Sequence, residues 1–218
     1  MTPEEATAFV LANTLPLAAP LVPELTLRLA TEVVPLWQMT EAELDATGLP
    51  PPYWAFAWAG GQVLARYLLD HPAAVAGKTV LDFGAGSGLG GIAAAKAGAR
   101  AVLATDIDAL ARAAITLNAE GNGVSIAVTG EDVIGQAGLG QILLIGDMCY
   151  EQPLAGRIEA WLRAEVRGGR TVLLGDPGRT YFPKTGVEKL ASYAVKTTRD
   201  LEDADIRNTG VYRLLPDA

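Results

Sequence analysis

One cysteine, Cys149, and one histidine, His71, are all that the 218 residues hold of either type. A lone thiol excludes an internal disulfide and a cysteine-rich metal site, and a lone imidazole cannot build a histidine-based zinc centre. No metal site is therefore expected. Long apolar runs are also missing: none approaches the roughly 20 residues that a membrane-crossing helix needs, so a soluble chain with no membrane partner is expected. The opening MTPEEATAFV carries two acids and no basic cluster, unlike a secretory signal or an Arg-rich transit peptide, which makes a cytoplasmic location the expectation. Repeats and low-complexity segments are lacking. Basic charge is in short supply, with 17 Lys and Arg against 25 Asp and Glu and a net charge of −8. Phosphate backbones are held by Lys and Arg, so no nucleic-acid partner is expected. An acidic surface instead favours a basic acceptor such as a lysine-bearing loop.

What the chain does have is apolar content: half of it is hydrophobic, enough for one substantial core of α/β size. The expected organisation is a monomer with an N-terminal extension, residues 1–52, packed on a catalytic domain, residues 53–218. Periodicity predicts a helix over 3–13 and a further short element over 24–30, ended near Pro35. Thr40 and Glu43 form a capping box for a helix over 40–46, each side chain satisfying a backbone N–H of the first turn. Pro50, Pro51 and Pro52 then force an extended segment.

A helical stripe within 58–70 (Val63, Leu64, Tyr67, Leu68) leads into alternating elements. Strands are predicted at 79–83, 101–105, 125–129, 141–145 and 170–174, with helices at 88–97, 109–120 and 154–167. Nearly all-apolar strands alternating with helices imply a parallel sheet covered on both faces. Strands near 193–197 and 211–215 would complete seven.

The sharpest local signal is Val80-Leu81-Asp82-Phe83-Gly84-Ala85-Gly86-Ser87-Gly88, an apolar strand entering a glycine-rich turn before a helix. Glycines let the backbone turn tightly and let a ligand approach without Cβ atoms in the way. Asp106, 20 residues past the turn at the end of the second strand, can accept both hydroxyls of an adenosine ribose. That much fits NAD and S-adenosylmethionine equally. Asp82 just before the glycines, and the absence of a continuing GxGxxG, favour a ligand with a cationic amino-acid end and no pyrophosphate. Asp132, after the third strand, is either an acceptor for an adenine amino group or a solvated loop acid. Trp58 either walls the cofactor pocket or packs in the core. Ala85 in the turn, Ile107 beside Asp106, and Gly146 at the end of the fourth strand complete the candidate cofactor-binding set.

Ligands in open α/β sheets sit beyond the carboxyl ends of the strands. After the fourth strand those residues are Gly146-Asp147-Met148-Cys149-Tyr150. Asp147 is either an acceptor-site carboxylate or a helix N-cap ahead of Glu151 and Pro153. Cys149 has no neighbour that would activate it. His71, before Pro72, reads as a helix C-cap. Asp176-Pro177-Gly178-Arg179 lies on the same rim, where Arg179 contacts a protein substrate or caps a carbonyl.

Asp-x-x-Tyr after the fourth strand resembles the seven-β-strand protein lysine methyltransferases of methyltransferase family 16. PYWAFAWAGGQVLARYLLD, VLDFGAGSG, GDMCY and GDPGR together resemble the group within that family that acts on the electron-transfer flavoprotein β subunit, from residues 21–28 to the C-terminal strand. The resemblance implies a Rossmann-like seven-stranded sheet, mostly parallel with its last strand antiparallel. It also implies S-adenosylmethionine as cofactor and lysines of the flavoprotein β subunit as acceptors. By position it gives Gly84, Gly86, Asp106 and Trp58 to the cofactor, and Asp147 and Tyr150 to catalysis. Methyl transfer needs a neutral amine aimed in line, which Asp147 would hold by a hydrogen bond while Tyr150 packs on the lysine stem or supplies a second polar contact. Other acceptors, such as a ribosomal protein or a small amine, and a non-catalytic nucleotide-binding module are the alternative readings.

Overall fold

The computed structural model of the protein describes residues 1–31, 50–197 and 205–216. In chain order it contains α1 (Pro3–Asn13), β1 (Leu15–Ala19), β2 (Val22–Leu29), α2 (Ala59–Asp70), β3 (Thr79–Phe83), α3 (Leu89–Lys96) and β4 (Ala101–Thr105). There follow α4 (Ala109–Gly121), β5 (Ala127–Thr129), β6 (Ile142–Gly146), α5 (Leu154–Arg167), β7 (Thr171–Asp176), β8 (Val187–Lys196) and β9 (Ile206–Leu214). The helix expected over 40–46, and Pro35, lie outside the described residues. Among the described residues no helix is long and apolar enough to cross a membrane.

Seven strands form one sheet in the order β5-β4-β3-β6-β7-β9-β8. The pairs from β5 to β7 are parallel, and β9 runs antiparallel between β7 and β8. This is the mostly parallel seven-stranded sheet that the pattern and the resemblance led to expect. Buried strands can carry apolar side chains on both faces, and β6 does so. Ile142 and Leu144 enter a core shared with α2, α3 and the β1–β2 hairpin, while Leu143 and Ile145 enter a second core under α5. Each fully buried Leu or Ile contributes roughly 1.5–3 kcal/mol. The chain leaves β3 towards β4 and β5, then returns to lay β6 on the other side of β3. That reversal opens a crevice at the carboxyl ends of β3 and β6, the place where α/β sheets bind ligands.

The N-terminal segment departs from expectation. The short element predicted over 24–30 is the strand β2, and it pairs antiparallel with β1, a strand the sequence reading missed. Pro16, Pro20 and Pro23 interrupt the pattern there, and proline is normally a mark against a strand. The period of two is nonetheless present: Leu25, Leu27 and Leu29 are buried while Glu24 and Thr26 are exposed. Polar clamps bind the hairpin to the rest. Asn118 accepts the Arg28 N–H at 2.6 Å and donates to the Ser87 carbonyl at 2.8 Å, and Gln62 accepts the Leu21 N–H at 2.9 Å. In front of it α1, with Ala6 and Val10, packs with Trp54, Leu110 and Ala114. At the far end, β8 begins at Val187 rather than near 193, because its half-exposed residues as the outermost strand blur the apolar signal.

The N-terminus of α2 meets the ends of β6 and β7 through backbone. A Cβ on Gly175 would lie 2.1 Å from the Gly60 carbonyl oxygen, and one on Gly146 would lie 3.1 Å from the Gly61 nitrogen. Only glycine permits this approach. Gly175→Ala is expected to cost about 3 kcal/mol through forced separation of packed backbone, measured as a lowered midpoint in urea unfolding.

Candidate active site

The floor of the crevice is the turn after β3. Gly84, Gly86 and Gly88 take φ values of +60°, +52° and +80°, the left-handed region that glycine enters without steric cost. The turn wraps the Asp106 carboxylate, which follows β4. Its Oδ2 accepts the Gly86 N–H at 2.9 Å and its Oδ1 the Asp108 N–H at 3.0 Å. Burial pushes the Asp106 carboxyl above the ordinary carboxylate range, opposed by those two N–H groups. Arg112 donates to the carbonyls of Asp106 and Ile107 at 3.0 and 2.8 Å, fixing the loop. Ile107 stands 76% exposed beside it, an apolar face at the rim.

Asp82 acts from below. It is 5% exposed, and its Oδ2 accepts the N–H of Gly91 at 2.6 Å, in the first turn of α3. A pyrophosphate in a dinucleotide site occupies such a helix N-terminus, drawn by bare N–H groups and the helix dipole. Here a carboxylate already sits there, so the turn suits a ligand without phosphate. Burial pushes Asp82 up to about 7, with the neighbouring Asp106 charge adding to the rise.

The facing wall follows β6. Asp147 has φ +57°, the single non-glycine residue with positive φ among the described residues. Strain of this kind costs of order 1–3 kcal/mol and persists where surroundings fix it. The fixing contacts are plain: the Asp147 N–H donates to the Gly175 carbonyl at 3.0 Å, Oδ2 accepts the Gly61 N–H at 3.1 Å, and Oδ1 accepts from the Arg179 guanidinium at 2.9 Å. The carboxylate therefore caps a helix, but the helix is α2 rather than the following α5, whose N-cap is Pro153. Met148 lies across the crevice against Gly84, where an added Cβ would be 2.6 Å from its Sδ. Tyr150 packs its ring 5.9 Å from that of Tyr53. Its phenol is pushed up to about 12, first by burial and then by Glu151, Tyr53 and the Asp106 carboxylate. The charge that follows β4 is thus felt at the residues that follow β6.

The family model for ribosomal protein L11 methyltransferase (PrmA) matches residues 64–138, which span α2 through β5. The electron transfer flavoprotein beta subunit lysine methyltransferase of Xenopus laevis is 39% identical over 216 residues, covering 96% of this chain and 87% of that protein. The Homo sapiens protein of the same description is 36% identical over 97% of this chain and 83% of its own length. This chain belongs to the electron transfer flavoprotein beta subunit lysine methyltransferase family. Among solved structures, ribosomal protein L11 methylase from Lactobacillus delbrueckii subsp. bulgaricus has the same fold, with TM-score 0.53 at 22% identity over 74% of this chain and 81% of its own. Magnesium protoporphyrin IX methyltransferase from Synechocystis PCC 6803, with bound SAH, aligns at TM-score 0.53 and 16% identity over 72% of this chain and 84% of its own.

Of the residues expected at the site, Asp82, Gly84, Ala85, Gly86, Asp106, Ile107, Asp147 and Tyr150 lie at or just after the carboxyl ends of β3, β4 and β6. Trp58, the N-cap of α2, donates its indole N–H to the Tyr53 carbonyl at 2.8 Å and lies 5.7 Å from the Arg179 guanidinium. It therefore borders Arg179 and the residues that follow β7, while Trp54 lies nearer the glycine turn, its Cα 3.8 Å from a Cβ placed on Gly86. Asp132 takes the loop-acid role: one oxygen accepts the Ile134 N–H at 3.1 Å and the other pairs with Arg157 at 3.0 Å. Its side chain is 53% exposed, and those contacts hold it below the usual range. Gly146 serves packing against α2 at the crevice wall. Cys149 is buried and its thiol is pushed up to about 12, which leaves it inert. His71 is the C-cap of α2. Sequence reasoning missed the Asp147–Arg179 pair and the part played by Gly60, Gly61 and Gly175; the Gly60-Gly61 doublet opening a helix was the available signal.

The buried Asp82 generates a pH test. In the unfolded chain it ionises near about 3.9, and in the folded chain near about 7, so the folded state keeps a proton that the unfolded state releases. Its contribution is most favourable at the acid end and falls as pH rises through that window, by at most about 1.4 kcal/mol per unit. Asp82→Asn should therefore gain stability over the natural chain progressively between pH 5 and 7, measured by urea unfolding; a pH-independent difference would contradict the assignment.

Proposed function

We propose that this chain transfers methyl groups from S-adenosylmethionine to lysine side chains of the electron transfer flavoprotein beta subunit. The observation that carries the reading is the pairing of two walls: a glycine turn wrapped on a half-buried carboxylate, Asp106, opposite a strained carboxylate, Asp147, beside Tyr150. The names of relatives at 33–39% identity over most of the chain supply the acceptor. The match to ribosomal protein L11 methyltransferase ends at residue 138, before β6, so it bears on the donor cradle and not on the acceptor wall.

The residues present fit the donor. The Gly84, Ala85 and Gly86 backbone would hold its amino-acid end, Asp106 its ribose hydroxyls, and Ile107 the apolar face of its base. Asp82 at the head of α3 disfavours the phosphates of a dinucleotide. When bound, S-adenosylmethionine supplies a methyl carbon on a sulfonium sulfur, which leaves as a neutral thioether when the amine lone pair bonds to that carbon.

The protein's own tasks are to orient the amine and have it neutral. Free lysine has a pKa of about 10.4, so the ammonium must lose its proton to solvent as it enters. Asp147, held on three sides, accepts a hydrogen bond from the amine and directs its lone pair inward. Tyr150, its phenol kept protonated, donates or accepts a second hydrogen bond. The tilted rings of Tyr53 and Tyr150 receive the aliphatic stem. Proximity and alignment supply the rate, and no strong general base is needed.

Intact-mass spectrometry of the flavoprotein β subunit, incubated with this enzyme and S-adenosylmethionine, should show added methyl groups on lysine. An unmodified β subunit alongside labelled small amines or ribosomal protein would overturn the acceptor assignment. Asp147→Ala, which removes the acceptor, should lower turnover by about a hundredfold through lost alignment, with donor affinity by calorimetry nearly unchanged. Asp106→Ala should instead weaken donor binding by about tenfold or more, the loss of charge-assisted hydrogen bonds.

A further inference from the structure

In the chemistry above Arg179 only helps to hold Asp147, and its charge has no task. The pair is well sheltered, with side-chain exposures of 11% for Asp147 and 22% for Arg179 at 2.9 Å. The guanidinium also lies against the Trp58 ring at 5.7 Å. The loop that carries it does not depend on the side chain for its shape, because Asp176 Oδ1 accepts the N–H groups of Gly178 and Arg179 at 2.6 and 2.7 Å. Arg179 is thus aimed at Asp147 by a loop that folds without the aim.

An acceptor amine creates the need for such a cation. A carboxylate placed alone beside an amine favours the charged ammonium and raises its pKa by about one to three units. The ammonium has no lone pair to donate. A hydrogen-bond acceptor is required for direction, while a net negative charge is harmful to reactivity. Pairing the carboxylate with a guanidinium, which stays protonated at any working pH, keeps the acceptor and cancels the charge. Among the described residues the cation paired with Asp147 is Arg179. Asp176 from β7 adds negative charge, and Cys149 and Tyr150 are held protonated. Arg207 shares with Arg179 and Tyr150 a depression of about 260 Å³, and of these two arginines it is Arg179 that is paired with the carboxylate.

We propose that Arg179 is a positioning residue for this reaction: its guanidinium neutralises Asp147, so that the carboxylate orients the acceptor amine without holding it as an ammonium. This rests on the lysine methyltransferase reading above. It assigns a role to the GDPGR segment, residues 175–179, that neither the fold nor the cofactor requires.

The test uses the full chain, the flavoprotein β subunit as acceptor, and two near-isosteric variants. Arg179→Gln keeps a hydrogen-bond donor and removes the charge; Arg179→Lys keeps the charge and removes the planar fork. Single-turnover rates are measured across pH, and binding of the β subunit is measured by calorimetry without the donor. For R179Q the rise of rate with pH should shift upward by about one unit. That gives about a tenfold loss near neutral pH that disappears in alkaline buffer. The same variant should bind the β subunit as tightly as the natural chain or more tightly, since an uncompensated Asp147 attracts the ammonium. R179K should keep the natural pH profile. A profile for R179Q that superimposes on the natural one, or an R179K shifted as far as R179Q, would overturn the role of Arg179 while leaving the function intact. A natural chain that leaves the β subunit unmethylated in the same assay would overturn the functional reading itself. Arg179→Met, a second uncharged variant, repeats the measurement should R179Q fail to fold.

Discussion

The contact on which the site depends is between backbones: the first turn of α2 against the ends of β6 and β7, at Gly60, Gly61, Gly146 and Gly175. With a Cβ on Gly60 lying 2.2 Å from the Gly175 carbonyl oxygen and 2.5 Å from Asp147 Oδ2, no side chain fits between them. Because the helix end comes this close, its Gly61 N–H reaches the Asp147 carboxylate. Orphan N–H groups and the positive end of the helix dipole then stabilise that carboxylate where it stands. The left-handed backbone at Asp147 is the local cost, offset by the N–H bond to Gly175 and the ion pair with Arg179. An acceptor residue set this firmly can direct an amine, which a flexible aspartate on a surface loop could not.

Charge placement separates the two walls of the crevice. On the donor wall, Asp82 fills the head of α3 from beneath and Asp106 is wrapped by N–H groups of the turn, so both carboxylates are held by backbone and stay in place when no ligand is bound. On the acceptor wall the carboxylate is balanced by a cation. The donor brings its own positive charge, and a cationic amine cannot react. The proposed roles of the two walls follow this difference, with backbone-held carboxyl groups on one side and an ion-paired carboxylate on the other. Tyr150 stands on the Asp147 side, with its phenol raised by burial and, more weakly, by Asp106.

Much of this was legible in the sequence where the chemistry is local. The strand 79–83, the strand 101–105 and the helix 154–167 were bounded correctly, because apolar runs there end at clear turn residues. The glycine turn and Asp106 could be recognised because they are joined by one βαβ unit. The family resemblance singled out Asp147 and Tyr150 from a motif four residues long. The β1–β2 hairpin was hidden by prolines that outweighed a correct period of two. The Asp132–Arg157 pair was hidden because its two residues are 25 apart, the second on α5, and leave no local trace. The Arg179 pairing was invisible for the same reason: it joins the ends of β6 and β7, which become neighbours only when the sheet forms.

The account stands on the claim that the donor, held by the glycine turn and Asp106, presents its reactive carbon to Asp147. A crystal structure with S-adenosylhomocysteine and a lysine-bearing peptide of the flavoprotein β subunit tests it most directly. The ribose hydroxyls should meet Asp106, and the lysine nitrogen should sit between the ligand sulfur and Asp147, within hydrogen-bond distance of the carboxylate. A ligand bound elsewhere, or a sulfur facing away from Asp147 and Tyr150, would contradict the account.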